Sequence, residues 1–263
     1  MQMRIRWLGW AGVEVEEQDE RVVVDPLGDP AAVFAWLGER AAGLPLPEVI
    51  PPRPGAVAAL VTHLHRDHAD AAALTAALRG DGTVHEPQGY GGAGIEQLAI
   101  AQADHEMAAG GLTRRATAPW TSVTAGPFTL TALPAVDGTG DPQVSWLIEA
   151  GGKRVLHLGD TMFHGWWWRI TERFGAPDAV FAPINGARVT FPHRRPASPL
   201  PIVMEPEQAG LAADLLRAER LVPIHYGGYE LAGLYEPLPN ALERAKDASD
   251  RVIALELGET LEI

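Results

Sequence analysis

The stretch that most constrains this chain is VTHLHRDHAD, residues 61–70, which places three histidines and two aspartates in ten positions. The whole chain of 263 residues has only nine histidines. The stretch overlaps the end of AVAALVT (56–62), a continuous apolar run typical of a buried strand. Polar side chains gathered where a rigid strand ends are typical of a functional site. The fold must therefore present these side chains together at the end of a strand.

The composition limits the chemistry of such a site. The chain has no cysteine, so disulfides, thiol nucleophiles and thiolate ligands are excluded, and any metal must be held by histidine and carboxylate. A formal net charge of −13 argues against a nucleic-acid surface. The sequence has no apolar run long enough to span a membrane, and its N-terminal segment lacks the apolar core of a signal peptide. We therefore expect a cytoplasmic protein that acts on a small molecule and binds neither nucleic acid nor a membrane.

The hydrophobic patterns predict an α/β protein with one domain over residues 1–263. Two strands are predicted around a turn near the N-terminus, in RIRWLGWAGVEVEE and RVVVDP. Later strands are predicted in FTLTALPAV, QVSWLIEA, RVLHLGD, DAVFAPI, RLVPIHY and the closing RVIALELGETLEI. Helices are predicted over 68–80, where Gly80 is placed to end the helix, around 94–107 and over 206–219.

The spacing within HLHRDH predicts metal binding. His63 and His65 are two residues apart at the end of a strand, so their side chains point to the same side and can converge on one point. Asp67 and His68 follow at the turn into a helix and can offer an oxygen and a nitrogen to a second point. Four ligand-type residues in six positions after a buried strand favour a metal site over a solvated histidine-rich loop.

THLHRDH resembles the HxHxDH motif of the metallo-β-lactamase fold superfamily of metal-dependent hydrolases. LGDT (158–161) and PIHYGG (223–228) follow in the order found in that superfamily. Within it, the chain is most similar to the group of ascorbate-6-phosphate lactonases and related small-molecule hydrolases. The resemblance extends over nearly the whole chain and implies an αββα sandwich, with two mixed β-sheets face to face and helices outside.

The resemblance also implies a centre with two divalent metal ions. By position in the motifs, His63 and His65 would bind the first ion. The second ion would be bound by Asp67, His68 and His225. Asp160, in LGDT, would bridge the two ions.

One position departs from the family pattern, because Asp137 in LPAVDGTG stands where a histidine is expected. Three interpretations are open. Asp137 is itself a ligand of the first ion; or the first site is weak or empty and one ion remains at the second site; or a histidine from elsewhere, His105, His164 or His193, takes its place. We favour a ligand Asp137, since a carboxylate still coordinates. A carboxylate-rich set shifts the preference from zinc alone toward Mn or Fe.

The mechanism expected from this centre is hydrolysis by metal-activated hydroxide of an ester, lactone, amide or phosphoester bond, with Asp67 carrying the proton. FPHRRP (191–196) offers His193, Arg194 and Arg195 as a clamp for a phosphate or carboxylate of the substrate. His164, four residues after Asp160, is a further candidate for lining the pocket.

Two alternatives remain open at this point. The chain is either a small-molecule phosphodiesterase within the same class, or a non-catalytic metal- or ligand-binding protein with a degraded first site, which Asp137 would reflect. The oxygen-reducing di-iron relatives carry a glutamate where this chain has His65, which argues against redox chemistry. The apolar GWWWRI (165–170) is a candidate contact for a homo-oligomer.

Overall fold

The computed structural model describes residues 2–41 and 43–263. Its first sheet has seven strands: β1 (Arg4–Gly9), β2 (Gly12–Glu17), β3 (Glu20–Val24), β4 (Ala56–Leu60), β5 (Leu78–Pro87), β6 (Arg114–Thr117) and β15 (Thr260–Glu262). Their spatial order is β15-β1-β2-β3-β4-β5-β6. β15, β1, β2 and β3 pair antiparallel, whereas β3 to β6 pair parallel, so the sheet is mixed.

The second sheet has six strands: β7 (Ser122–Ala125), β8 (Phe128–Pro134), β9 (Val144–Ala150), β10 (Lys153–His157), β11 (Ala179–Pro183) and β13 (Arg220–Ile224). Its order is β13-β11-β10-β9-β8-β7, antiparallel from β7 to β10 and parallel from β10 to β13. Two short strands, β12 (Arg188–Val189) and β14 (Tyr235–Glu236), form a separate pair.

Helices cover the outer faces of both sheets. They are α1 (Pro30–Val33), α2 (Ala71–Ala77), α3 (Ala101–Ala109), α4 (Trp167–Phe174), α5 (Pro206–Leu216) and α6 (Ala241–Ala248), and a 3₁₀ helix spans Phe34–Ala41. α2 and α3 pack on the first sheet through Leu74 and Met107, while α4 and α5 pack on the second through Trp167 and Ala213. Among the described residues, no helix has the length and apolarity needed to cross a membrane.

The main core lies between the two sheets. Val13 and Leu60 of the first sheet share one buried cluster with Leu130, Trp146 and Phe181 of the second. Strands whose side chains alternate between this core and a helix-covered face are apolar on both sides, which explains the continuous apolar runs in the sequence. The predicted αββα sandwich of two mixed sheets is confirmed.

The largest error in the predicted elements concerns the helix expected over 68–80. α2 begins at Ala71, where the Asp70 side chain accepts hydrogen bonds from the backbone N–H groups of Ala72 and Ala73, and it ends at Ala77. The chain then enters β5 at Leu78, which pairs with β4, so Gly80 lies in a strand. Strand pairing outweighs the helix preference of these residues.

Other predicted boundaries were also wrong. The N-terminal segment forms three strands instead of two, because Gly9 and Trp10, at φ 91° and 49°, turn the chain between β1 and β2. The helix predicted around 94–107 spans 101–109. The closing segment contributes β15 and a single bridge from Val252 to Leu221. β6 and β7 were not predicted.

Trp146 joins the two sheets directly beside the histidine-rich stretch. Its side chain is fully buried, and its Nε1–H donates to the carbonyl oxygen of Val61 at 3.0 Å. Trp146→Phe keeps most of the ring packing but leaves that carbonyl without its partner, so we expect the free energy of unfolding to fall by about 1–3 kcal/mol. Urea unfolding of chelator-treated protein, followed by circular dichroism, measures this change.

The matched control is Trp168→Phe, since the Trp168 side chain is 54% exposed. We expect its free energy of unfolding to stay within about 0.5 kcal/mol of the wild type. Equal losses in the two variants would show that the bond to Val61 contributes nothing.

Candidate metal centre

Seven side chains meet at one end of the sandwich, each from a segment that follows a strand. The HLHRDH segment follows β4, Asp137 follows β8, Asp160 follows β10, and His225 follows β13. The segments approach closely: a Cβ added at Gly159 would lie 2.7 Å from Thr62 Oγ1, so glycine is required there. The sheet edges thus bring together residues that are up to 162 positions apart, as the separation of His63 and His225 shows.

The donor atoms of these side chains form three overlapping groups, and within each group all atoms lie within 4.8 Å of one another. The groups are His63, His65 and Asp137; His63, His68 and Asp160; and Asp67, His68 and His225. Every residue predicted as a metal ligand belongs to at least one group. The overlap places them around one continuous polar centre.

Several of the buried polar atoms in this centre have no hydrogen-bond partner. They are Nε2 of His63, His68 and His225 and Oδ1 of Asp160. The Nε2 atom of His225 lies 2.9 Å from Oδ2 of Asp160, without the alignment of a hydrogen bond. Leaving such groups buried and unpaired costs about 1–3 kcal/mol each. Imidazole nitrogens and carboxylate oxygens converging in this way fit a divalent cation, which would satisfy them together.

The opposite nitrogens of two rings are fixed by one buried carboxylate, Asp25. Its Oδ2 atom lies 2.8 Å from His68 Nδ1 and accepts a hydrogen bond from the Thr62 hydroxyl at 2.6 Å. The same hydroxyl lies 3.0 Å from His63 Nδ1. With Nδ1 of each ring donating into this network, Nε2 carries the lone pair that faces the centre.

The other two rings have separate partners. His65 Nε2 lies 3.0 Å from Oδ2 of Asp141, and the hydrogen bonds of the described residues leave its Nδ1 without a partner. His225 Nδ1 lies 2.9 Å from the side-chain amide of Asn185, which also donates to the Tyr235 hydroxyl at 2.7 Å. Each histidine of the centre therefore has a polar neighbour that orients its ring.

The charges of the centre favour a bound cation. Burial raises the pKa of Asp160, but the charges of His225 and His68 outweigh it and hold the pKa well below its usual range. Burial also raises the pKa of Asp67, and the same two histidines again leave it lowered. Burial, together with the charges of His68 and His65, holds the pKa of His63 well below its ordinary value. Burial lowers the pKa of His68 and His225, but the neighbouring carboxylates outweigh it and raise the pKa of both rings. Asp160, Asp67 and His63 are therefore in the protonation states that metal binding requires, and a bound cation would displace the protons of His68 and His225.

Asp137 is oriented by its own loop. Its Oδ1 atom accepts hydrogen bonds from the backbone N–H and the hydroxyl of Thr139, at 2.7 and 2.5 Å, and from the backbone N–H of Asp141 at 3.1 Å. Its Oδ2 atom has no hydrogen bond with any described residue. The structure therefore brings Asp137 into the group with His63 and His65 and leaves one of its oxygens free. His105 and His193, by contrast, are exposed and belong to no such group.

The candidate substrate contacts are placed differently from one another. His164 stacks on Trp167 at 3.8 Å, and burial lowers its pKa to about 4. His193 is exposed and stacks on Phe191. Arg195 is exposed, and its guanidinium donates a hydrogen bond to the Pro192 carbonyl oxygen.

Arg194 turns inward from the same loop. Its guanidinium donates to the Thr139 carbonyl oxygen and to Asp141 Oδ2. The two neighbouring arginines therefore do not point at one common anion, and a clamp formed by both stays a prediction.

Five residues of the centre were missed as functional residues in the sequence. Asp25 and Thr62 hold two rings, Asp141 and Asn185 hold the other two, and the Trp10 indole donates to Asp67 Oδ2 at 2.9 Å. Only Asp25 carried a signal, because it is a carboxylate closing the otherwise apolar strand VVVDP. Trp10, Asp141 and Asn185 contact ligand residues that are 40–76 positions away in the sequence. Thr62 acts together with Asp25, whose role was not predicted.

A cavity of about 410 Å³ adjoins the centre. Trp10 and Asn185, which contact Asp67 and His225, form part of its wall. The rest includes Tyr226, Tyr229 and Tyr235. This volume is within the range of pockets that hold small molecules, about 300–1,000 Å³.

Residues 20–226 match the model of a β-lactamase superfamily domain. The chain belongs to the metallo-β-lactamase superfamily. A relative from Korarchaeum cryptofilum, described as a UPF0173 metal-dependent hydrolase, is 28% identical over 265 residues, covering 99% of this chain and 100% of the relative. The predicted superfamily is confirmed, and the narrower similarity to the ascorbate-6-phosphate lactonase group stays a prediction.

Solved structures of other proteins share the fold. Igni18, a metallo hydrolase from Ignicoccus hospitalis, superposes with a TM-score of 0.64 at 20% identity, covering 100% of this chain and 99% of its own. CmlA, a diiron β-hydroxylase from Streptomyces venezuelae, superposes with a TM-score of 0.72 at 17% identity, covering 99% of this chain and 54% of its own. A metallo-β-lactamase fold therefore does not by itself decide between hydrolysis and redox chemistry.

Asp25→Asn tests the network behind the metallo-β-lactamase centre. The carboxylate accepts from the Thr62 backbone N–H on Oδ1 and from the Thr62 hydroxyl and the His68 ring on Oδ2, whereas an amide has only one accepting oxygen. The rings of His63 and His68 therefore lose orientation, and we expect cation affinity to fall about 10- to 100-fold. Competition with a fluorescent chelator, using Zn²⁺ and Mn²⁺, measures the affinity. Asp19→Asn is the control, since Asp19 also has a positive φ but is exposed. An unchanged affinity in Asp25→Asn would contradict the assigned role of Asp25.

Proposed function

We propose that the chain is a metal-dependent hydrolase that attacks an ester, lactone, amide or phosphoester bond of a small molecule. The observation that carries this proposal is the set of buried, unpartnered ligand atoms that converge from three strand ends. Relatives described as metal-dependent hydrolases over the full length of the chain support it.

The donor groups support two binding points. His63, His65 and Asp137 would hold the first cation, and Asp67, His68 and His225 the second. Asp160 shares a donor group with His63 of the first set and His68 of the second, which suits a bridging role. When bound, such cations acidify water to a pKa near neutrality and polarise a carbonyl or phosphoryl oxygen. Three carboxylates in the set favour Mn or Fe as well as Zn.

Asp67 is the residue we assign to proton transfer. Its side chain is 19% exposed, whereas those of Asp160 and His225 are nearly inaccessible, so it borders the space that a substrate would enter. The indole of Trp10 and the rings of His68 and His225 engage its Oδ2 side. Its lowered pKa keeps it ionised and able to accept a proton from water before passing it to the leaving group.

The surroundings of the centre suit a small substrate. The adjoining cavity of about 410 Å³ has an aromatic wall that can exclude water from a bound apolar group. The net charge of −13 gives no long-range attraction for a nucleic acid. We keep a small-molecule phosphodiesterase within the proposal, because the cation chemistry serves carbonyl and phosphoryl centres alike.

A non-catalytic binding protein is the second candidate, and Asp137 favours it, since a carboxylate stands where the superfamily pattern has an imidazole. It would retain cations without turning over any ester. The two candidates differ in hydrolysis and not in cation binding, so both properties have to be measured.

The first test measures cation content and hydrolysis together. Protein purified without chelator or metal-affinity tag should contain Zn, Mn or Fe by elemental analysis. It should also hydrolyse at least one of p-nitrophenyl acetate, a γ-lactone and bis-p-nitrophenyl phosphate. Chelation should abolish the hydrolysis and added cation should restore it. Cation binding with no hydrolysis of any class would favour the binding protein, and no cation binding would refute both candidates.

Asp67→Asn tests proton transfer. The amide cannot accept the proton, and we expect kcat to fall about 10²- to 10⁴-fold in steady-state kinetics on the best of these substrates. Cation content is measured in parallel, so that a lost cation is not mistaken for lost proton transfer. Asp104→Asn on α3, whose carboxylate pairs with Arg114 away from the centre, is the control. Wild-type kcat in a cation-loaded Asp67→Asn would remove Asp67 from the mechanism.

A further inference from the structure

The segment 190–202 lies directly against the loop 137–141 that carries Asp137. A Cβ added at Gly138 would lie 2.2 Å from the carbonyl oxygen of Ile202, so only glycine permits this approach. Backbone hydrogen bonds fix both ends of the segment, from Thr190 N–H to Leu234 at 3.0 Å and from Ile202 N–H to Ala187 at 2.8 Å. Between these ends, Arg194 is the side chain that bonds to the loop.

Arg194 holds the loop at two points. One guanidinium nitrogen donates to the Thr139 carbonyl oxygen, and the other lies 3.1 Å from Oδ2 of Asp141. The Asp141 side chain is only 3% exposed. Arg194 is the only lysine or arginine among the described residues that forms an ion pair with Asp141 or Asp137. A buried carboxylate in this position needs such a partner, because its desolvation is otherwise uncompensated.

The loop in turn orients two donors of the first binding point. Asp141 Oδ2 faces His65 Nε2 at 3.0 Å and lies 2.8 Å from the Thr139 hydroxyl oxygen. The backbone N–H groups of Thr139 and Asp141 both donate to Asp137 Oδ1. Displacing this loop would therefore turn the His65 ring and the Asp137 carboxylate together. The second binding point does not depend on this loop, since Asp25 and Asn185 hold His68 and His225.

We propose that Arg194 is a positioning residue for the first cation site, acting through Thr139 and Asp141 on Asp137 and His65. The segment 190–202 and the first site are thereby ordered together, while the second site is independent of both. This inference rests on the proposed function in requiring that the centre binds two cations. It gives Arg194 a role within the protein and leaves Arg195, its exposed neighbour, without one.

The test compares Arg194→Ala with Arg195→Ala in the full chain, stripped of metal and titrated with Zn²⁺ against a fluorescent chelator and with Co²⁺ by visible absorption. We expect Arg194→Ala to weaken one cation equivalent about tenfold or more and to change the Co²⁺ spectrum of that equivalent alone. Asp141→Asn should weaken the same equivalent. Arg194→Lys, which keeps the charge, should recover part of the affinity, and Arg195→Ala should match the wild type.

The selectivity for one equivalent separates positioning from general damage to the fold, which would weaken both. If Arg194→Ala does not fold, Arg194→Lys alone should weaken the same equivalent by a smaller factor. Unchanged affinity for every equivalent in the folded variant, or equal weakening of all of them, overturns the inference while leaving the proposed function intact. A wild-type protein that binds no cation would refute the proposed function together with this inference. Affinity is read directly, so absent hydrolysis does not affect the result.

Discussion

The structure of the centre depends on the buried carboxylate of Asp25. Asp25 directly follows β3 with a φ of 43°, and its two oxygens accept from the Thr62 backbone N–H, the Thr62 hydroxyl and the His68 ring. These contacts join the end of β3 to the chain that leaves β4. A charge buried so completely is tolerated only with several donors around it. The dependence is mutual. The segment that contains the histidines supplies the hydrogen-bond donors that Asp25 needs, and Asp25 fixes which ring nitrogens of that segment face the centre.

The sandwich was predictable because its strands are buried on both faces and read as continuous apolar runs. The errors occur where local preference and long-range pairing disagree. ALTAALRG favours a helix by composition, yet from Leu78 its backbone pairs with β4, a contact with a segment more than twenty residues earlier. β6 and β7 have only four residues each and lie at the edges of their sheets, so they are too short for a hydrophobic pattern to predict them.

In the candidate centre, too, local sequence patterns were predictive and long-range contacts were not. Four of the proposed ligands lie within six positions, and their order allowed the rest to be assigned by resemblance. Neither the spacing of the ligands nor the family resemblance predicts the residues that orient the histidine rings. Asp141 is 76 positions from His65 and Arg194 is 53 from Asp141, and both belong to loops rich in glycine or proline with no pattern of their own. Such contacts follow from the meeting of two sheet edges, which composition and periodicity do not specify.

The exchange of imidazole for carboxylate at Asp137 changes more than one ligand. A carboxylate adds a negative charge, and its side chain is shorter than that of histidine, so the loop that carries it must come closer and its charge must be offset. Gly138 allows the close approach, Thr139 and Asp141 supply three donors to one oxygen, and Arg194 adds the positive charge that no other described lysine or arginine provides there. A degraded site would not be expected to retain this combination of contacts, since each is lost by a single substitution. The surroundings of Asp137 thus favour a working first site over a vestigial one.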